Sequence, residues 1–123
     1  MTFARINIGK QGESLAVEFL KKNGYRVLEN NFRCRFGEID IIATEGKTLV
    51  FIEVKTKTSN KFGPPKLAVD FNKRKQLSKA AMAYLMQKKL TNYPARFDVV
   101  GISIIEDKTE VELIRNAFEL CLR

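Results

Sequence analysis

Apolar residues recur at helical spacing in two stretches of this chain and alternate or run together in five others. From about Lys10 to Asn23, Leu15, Ala16, Phe19 and Leu20 fall on one side of a predicted helix that Gly24 stops. A second helix is predicted over about Asn72 to Lys89, with Leu77, Ala80, Ala81, Tyr84 and Leu85 as its apolar stripe and Asn72 as its N-cap. Strand-like runs lie at Tyr25–Glu29, Glu38–Ala43, Thr48–Thr56, Arg96–Ile105 and Glu110–Ile114. Thr44-Glu45-Gly46-Lys47 reads as a hairpin turn between the second and third of them, and the polar stretch from Thr56 to Lys66, punctuated by Gly63-Pro64-Pro65, reads as a loop. The order α-β-β-β-α-β-β, with Leu49-Val50-Phe51-Ile52 as a central strand, predicts an α/β fold: a central mixed sheet of about five strands flanked by helices. No internal repeat or domain boundary interrupts it, so residues 1–123 read as a single domain.

Composition narrows the chemistry. Histidine is absent, which removes Ser-His-Asp, Cys-His and histidine-ligated zinc sites together. The two cysteines, Cys34 and Cys121, are too few and too far apart for a zinc cluster and are expected to be reduced and structural. Any catalysis must therefore use carboxylates, lysine and an oxygen-bound metal. The formal charge of +8 favours a polyanionic partner, although a basic surface also serves solubility or anionic lipids. With no apolar run near the ~20 residues of a membrane span and no signal-peptide pattern, a cytoplasmic location without membrane association is expected.

The acidic residues are placed in an unusual way. In Gly37-Glu38-Ile39-Asp40-Ile41-Ile42, Glu38 and Asp40 share one side of a strand; in Phe51-Ile52-Glu53-Val54-Lys55, Glu53 and Lys55 share one side, about 7 Å apart. A turn centred on Glu45-Gly46 would set Asp40 opposite Phe51 and Glu38 opposite Glu53, leaving Asp40 and Glu53 diagonal on one face. A one-residue bulge would split them. On the first helix Glu13 falls within the apolar arc and Glu18 outside it, so Glu13 is the inward acid. A plainer account makes Glu13 a helix-start acid favoured by the dipole, and Glu53 with Lys55 an ordinary same-face ion pair. Against it, an apolar central strand rarely takes a charged residue that is neither paired nor functional. Converging carboxylates need a lysine or a metal beside them, and Mg²⁺ prefers the oxygens that Asp40, Glu53 and the Val54 backbone carbonyl would offer.

These same residues carry a resemblance. Gly12-Glu13, Asn23-Gly24-Tyr25, the run Asn31-Phe32-Arg33-Cys34-Arg35-Phe36-Gly37-Glu38-Ile39-Asp40-Ile41-Ile42 and Phe51-Ile52-Glu53-Val54-Lys55-Thr56 resemble the YraN family of uncharacterised bacterial proteins predicted to be endonucleases. Arg96-Phe97-Asp98-Val99-Val100 and Asn116-Ala117-Phe118-Glu119 resemble its later blocks, so the likeness covers nearly the whole chain. That family is similar to the PD-(D/E)xK, or restriction-endonuclease-like, superfamily and within it to archaeal Holliday-junction resolvases. The resemblance implies that Asp40, Glu53 and Lys55 stand for the D…E-x-K core and that Glu13 matches the resolvases' first-helix acid. Ile39 stands where the motif's proline would precede the aspartate.

The expectation is a Mg²⁺- or Mn²⁺-dependent endonuclease that hydrolyses DNA, including branched or structured DNA. Asp40, Glu53 and the Val54 carbonyl would hold the metal, with Glu13 helping directly or through water, and Lys55 would serve the nucleophile and transition state. Glu38 and Gln76 are accessory candidates. Phosphate contacts would come from Lys57, Lys61, Lys66, Lys73, Arg74, Lys75 and Lys79, whereas Lys21, Lys22, Lys88 and Lys89 read as solvated helix faces. The alternatives are a catalytically inactive nucleic-acid-binding module, an adaptor in DNA repair, recombination or uptake, and an RNA-directed protein. Junction or flap preference would need two sites at a fixed distance, hence a symmetric homodimer.

Overall fold

The computed structural model describes residues 3–58 and 69–120, of which 3–8 are described in backbone only. Most of the expected Thr56–Lys66 loop, with Lys61 and Lys66, lies outside these residues, as does Cys121. Two helices and five strands follow the expected order: α1 (Phe3–Lys22), β1 (Arg26–Cys34), β2 (Gly37–Glu45), β3 (Thr48–Lys57), α2 (Phe71–Gln87), β4 (Ala95–Ile105) and β5 (Lys108–Phe118). The strands form one sheet in sequence order, β1-β2-β3-β4-β5. Neighbours are antiparallel except β3 and β4, which run parallel because α2 carries the chain back between them. The expected α/β architecture, a mixed five-stranded sheet with flanking helices and β3 at its centre, is the one observed.

Each sheet face has its own helix. Ala16 and Leu20 of α1 pack with Ile41, Val50, Ile52, Val100 and Ile102, while Leu77, Ala80, Ala81, Tyr84 and Leu85 of α2 pack with Ile42, Phe51, Phe97 and Val99. Alternation along β3 thus sends Leu49 and Phe51 to α2, and Val50 and Ile52 to α1. An inward-facing residue at position 53 therefore points to the α2 side.

Several boundaries differ from expectation. Helix α1 begins at Phe3 rather than near Lys10, so Glu13 lies in mid-helix and the first turn holds no acid. The helix-start explanation of Glu13 is thereby removed. Gly24, at φ +89°, ends the helix as expected, with the Tyr25 N–H returned to the Leu20 carbonyl at 3.0 Å. The N-cap of α2 is Asp70, not Asn72: its carboxylate accepts the Lys73 N–H at 2.8 Å. Strands β1 and β5 run several residues past their expected ends, as the two edges of the sheet.

The hairpin turn also moves. Glu45 pairs with Thr48 and Ile41 with Ile52, so Gly46-Lys47 is a two-residue turn, with Gly46 at φ 60°. The expected register, Asp40 opposite Phe51 and Glu38 opposite Glu53, is off by two residues; Ile42 faces Phe51, and the register continued past Ile41 brings Asp40 opposite Glu53. A shift of two preserves the face of every residue within the paired ladder.

Candidate functional site

The site forms where β2 and β3 stop pairing. Their ladder ends at Ile41 and Ile52, and the next bond is made by a side chain: the Val54 N–H donates to Asp40 Oδ2 at 2.8 Å. Alternation along β2 breaks at the same point. Ile39 and Ile42 both lie in the α2 core and Ile41 in the α1 core, so Asp40 sits where the strand changes its facing. Across β1 the pairing skips from Asn30 with Ile41 to Phe32 with Ile39, and Asn31 between them adopts φ 54°, a conformation that asparagine tolerates better than most residues. This local irregularity turns Asp40 toward α1 as well as toward β3.

Carboxylate oxygens of Glu13, Glu38 and Asp40 lie within 4.8 Å of one another, all three half-buried. Glu53 lies on the other side of Asp40 and is only 5% exposed. Burial, a hydrogen bond from the carboxyl to Asp40 and the Asp40 charge push the Glu53 pKa up to about 8 against the pull of Lys73 and Lys55. Glu13 is raised too, chiefly by burial and then by Asp40, with its hydrogen bond to the Asn31 side chain acting the other way. Four acids from three elements thus converge, and Asp40 is shared between the Glu53 side and the Glu13–Glu38 side.

The cations are arranged around them unevenly. Both Lys55 and Lys73 approach the same Glu53 oxygen, Oε2, at 3.7 and 3.5 Å, while Arg33 reaches Glu38 at 3.4 Å from an exposed position. Sequence reasoning placed Lys73 among phosphate contacts; in the structure it pairs with Glu53. Arg74 is likewise engaged, donating from Nε to the Val69 carbonyl at 2.9 Å and lying 5.9 Å over the Phe118 ring. Lys79 lies 6.0 Å over Phe36, Lys75 is half-exposed on α2, and Lys57 lies two residues beyond Lys55 on β3. Lys21, Lys22, Lys88 and Lys89 are exposed, as expected.

Two glycines set how closely the helices approach. A Cβ on Gly12 of α1 would stand 2.1 Å from Thr56 Oγ1, so the absence of a side chain lets α1 lie against β3 beside the acids. Gly37, at φ 137°, leaves space for the Gln76 amide; a Cβ there would stand 2.1 Å from Nε2. Gln76 thereby reaches the residue next to Glu38. A groove of about 390 Å³ between α1 and β1, with Lys10, Glu13, Ser14, Asn31, Asp40 and Ile41 in its wall, opens onto the acids. Asn31 was not among the nominated residues. Its signal was an asparagine pair, Asn30-Asn31, inside a strand pattern, where a residue tolerant of positive φ marks an irregularity.

Cys34 is a free cysteine, as expected. Among the described residues no helix is long and apolar enough to cross a membrane.

Comparison with known proteins gives the ancestry. The profile of "Uncharacterised protein family UPF0102" matches residues 12–102, which span the whole acidic cluster. A UPF0102 protein of Syntrophus aciditrophicus is 51% identical over 115 residues, covering 94% of this chain and 91% of its own length. One of Geobacter metallireducens is 50% identical over 120 residues, covering 98% of each. A solved structure titled "Crystal structure of SSO0001" is 17% identical, with a TM-score of 0.40 over 95% of this chain and 54% of that one. The chain therefore belongs to the UPF0102 family, the YraN family that its motifs resemble.

Proposed function

We propose that this protein is a Mg²⁺- or Mn²⁺-dependent phosphodiesterase that cleaves DNA. The observation that carries this reading is the convergence of Glu13, Glu38, Asp40 and Glu53 from α1, β2 and β3, with Glu53 buried at the centre of the sheet. Three half-buried carboxylates beside a buried one are unfavourable without compensation, and every donor they offer is a hard oxygen, which fits Mg²⁺ or Mn²⁺ and not a thiolate-seeking ion.

Asp40 and Glu53, with the Val54 carbonyl, would hold the metal, and Glu13 would complete the site directly or through water. Such an ion supplies Lewis-acid activation of water and neutralises charge growing on the phosphate. The Val54 N–H on Oδ2 fixes the orientation of the Asp40 carboxylate. Lys55, on the same face of β3 as Glu53, would orient the attacking water or stabilise the phosphoryl oxygens. Glu38 extends the acidic wall, and Gln76, placed by Gly37, stands where a neutral amide could hydrogen-bond a phosphate oxygen. Backbone affinity would come from Lys57, Lys75 and Lys79, supported by the net charge of +8. A branched substrate would call for two such sites, and hence a homodimer, which sedimentation analysis checks.

The ion pairs on Glu53 favour a second reading, in which lysines permanently satisfy the acids and the protein only binds nucleic acid. Incubation of the purified protein with labelled linear, flap and four-way-junction DNA, with and without Mg²⁺, separates the two. The enzyme reading expects Mg²⁺-dependent cleavage that Asp40→Asn and Glu53→Gln abolish while DNA binding persists. Binding with no cleavage under any metal would leave the second reading standing.

A further inference from the structure

Glu53 carries two ammonium groups on one oxygen, and they reach it in different ways. Lys55 comes from β3 itself, two residues along the same face, so its stem is tied to the strand that holds the carboxylate. Lys73 reaches across from the first turn of α2, whose N-terminus is fixed by Asp70. Both contacts, 3.5 and 3.7 Å, are longer than a close charge-assisted hydrogen bond. Both side chains remain about one-third exposed, at 33% for Lys73 and 35% for Lys55, whereas Glu53 is not. The arrangement is a buried carboxyl group with two loosely held, water-facing cations.

A divalent ion between Asp40 and Glu53 would stand within a few ångströms of both ammoniums and repel them. Lys55 rises from the strand that carries Glu53 itself. Lys73 rises from a separate element, its side chain one-third exposed, on a helix that also presents Lys75 and Lys79 on successive turns. From the paired ammoniums and their unequal tethers we infer that Lys73 is an exchangeable counter-cation. It neutralises Glu53 while the site is empty, leaves the carboxylate when a divalent ion binds, and then holds the phosphodiester of the incoming nucleic acid. The inference rests on the metal-binding reading above and deepens it: metal and nucleic acid each favour the same displaced position of Lys73, so each tightens the binding of the other.

Three measurements on the intact chain test this. The first is Mg²⁺ affinity without nucleic acid at pH 8.5, from calorimetry and Mg²⁺-dependent thermal stabilisation. Removal of the competing charge in Lys73→Met is expected to tighten Mg²⁺ binding by roughly tenfold, the scale of an ordinary coupling between sites, while Lys73→Arg stays close to the unaltered protein. The second is the salt dependence of DNA binding with Ca²⁺ present: Lys73→Met is expected to lower the log-log slope by about one phosphate. The third is the tightening of Mg²⁺ binding by saturating DNA, which Lys73→Met should diminish. Lys73→Gln is measured in parallel should the Met variant fold poorly. If Asp40→Asn leaves Mg²⁺ stabilisation of the unaltered chain intact, or none is seen at all, the metal reading falls and this inference with it. Mg²⁺ binding that needs Asp40 but is unchanged or weakened in Lys73→Met overturns the exchange alone.

Discussion

The Val54 N–H donates to Asp40 Oδ2 at 2.8 Å, so a side-chain carboxylate takes the place of a strand carbonyl at the point where the β2–β3 ladder ends. One group thereby closes the sheet and opens the site. The two substitutions that remove the Asp40 charge should differ because of it. Asp40→Asn keeps an oxygen for Val54, so its stability should lie within about 1 kcal/mol of the unaltered protein while metal-induced stabilisation is lost. Asp40→Ala leaves the N–H without its partner in a half-buried position and should cost about 1–3 kcal/mol in chemical denaturation. Equal stability of the two variants would count against a structural role for this bond.

The pH dependence of stability has a definite sign. Glu53 is held protonated above its ordinary 4.5, up to about 8, and Glu13 is shifted in the same direction. Between those values the folded protein binds more protons than the unfolded chain, so stability should fall as pH rises through that window. Glu45 acts the other way. Its hydrogen bonds from Arg115 and then Arg96 lower its pKa, and the stability it contributes is lost as pH falls below the ordinary carboxylate range. Without metal, the highest Tm is therefore expected in mildly acidic buffer. Added Mg²⁺ should raise Tm more at pH 8 than at pH 5.5, because at low pH the ion must displace the Glu53 proton. Thermal denaturation at both pH values, with and without Mg²⁺, measures this directly, and a metal effect independent of pH would contradict it.

Close approach of α1 to β3 is a precondition for Glu13 to reach Asp40. The Cβ of alanine at position 12 would meet Thr56 Oγ1 at 2.1 Å and its Cβ at 3.3 Å. Gly12→Ala should therefore lift the helix and destabilise by about 1–3 kcal/mol, and it should weaken metal binding by displacing Glu13. Thr56→Ala removes the nearer obstacle. The double variant should recover part of both losses, an interaction that a double-mutant cycle in denaturant resolves. Additive losses would mean that Gly12 matters through helix propensity alone.

How much of this was legible beforehand varies along the chain. Local periodicity placed the helices, the central strand Leu49-Val50-Phe51-Ile52 and the inward turn of Glu13, because each depends on residues a few positions apart. The β2–β3 register was two residues off because Thr44-Glu45-Gly46-Lys47 allows more than one turn, and only the pairing of whole strands selects Gly46-Lys47. Asp40 and Glu53 nevertheless meet, through a hydrogen bond between their side chains. The start of α1 was set too late, since Gly9, a weak helix former, separates Phe3, Ala4, Ile6 and Ile8 from the stripe that follows. Lys73 could not be assigned to Glu53 from sequence, because the approach of α2 to β3 is decided by packing on Phe51, Tyr84 and Phe97.

A second buried polar cluster is built around Asp98 of β4, which pairs with Ile52 of β3, and provides a control for everything said of the first. Asp98 is fully buried and its carboxylate accepts hydrogen bonds from Tyr25 Oη at 2.7 Å, Arg96 Nε at 3.0 Å and the Asn116 N–H at 2.9 Å. Arg96 continues to Glu45, which Arg115 also holds at 2.8 Å, so β2, β4, β5 and the end of α1 are tied by one network. Burial, then the Asp98 bond and charge, push the Tyr25 hydroxyl up to about 12, so the phenol stays a donor throughout the working pH range. Here the buried carboxylate is held by a hydroxyl, a guanidinium and a backbone N–H at 2.7, 3.0 and 2.9 Å, against 3.5 and 3.7 Å for the two ammoniums at Glu53. The network is structural by that criterion, whereas Glu53 faces two loosely held ammoniums. Asp98→Ala should cost about 3–5 kcal/mol by stranding Arg96 and the Asn116 N–H, and Tyr25→Phe about 1–3 kcal/mol by removing one donor from a buried carboxylate. Neither should change Mg²⁺ affinity or the salt slope of DNA binding measured well below the variant's Tm. A Tyr25→Phe protein that is folded yet impaired in metal binding would mean that the two clusters are coupled.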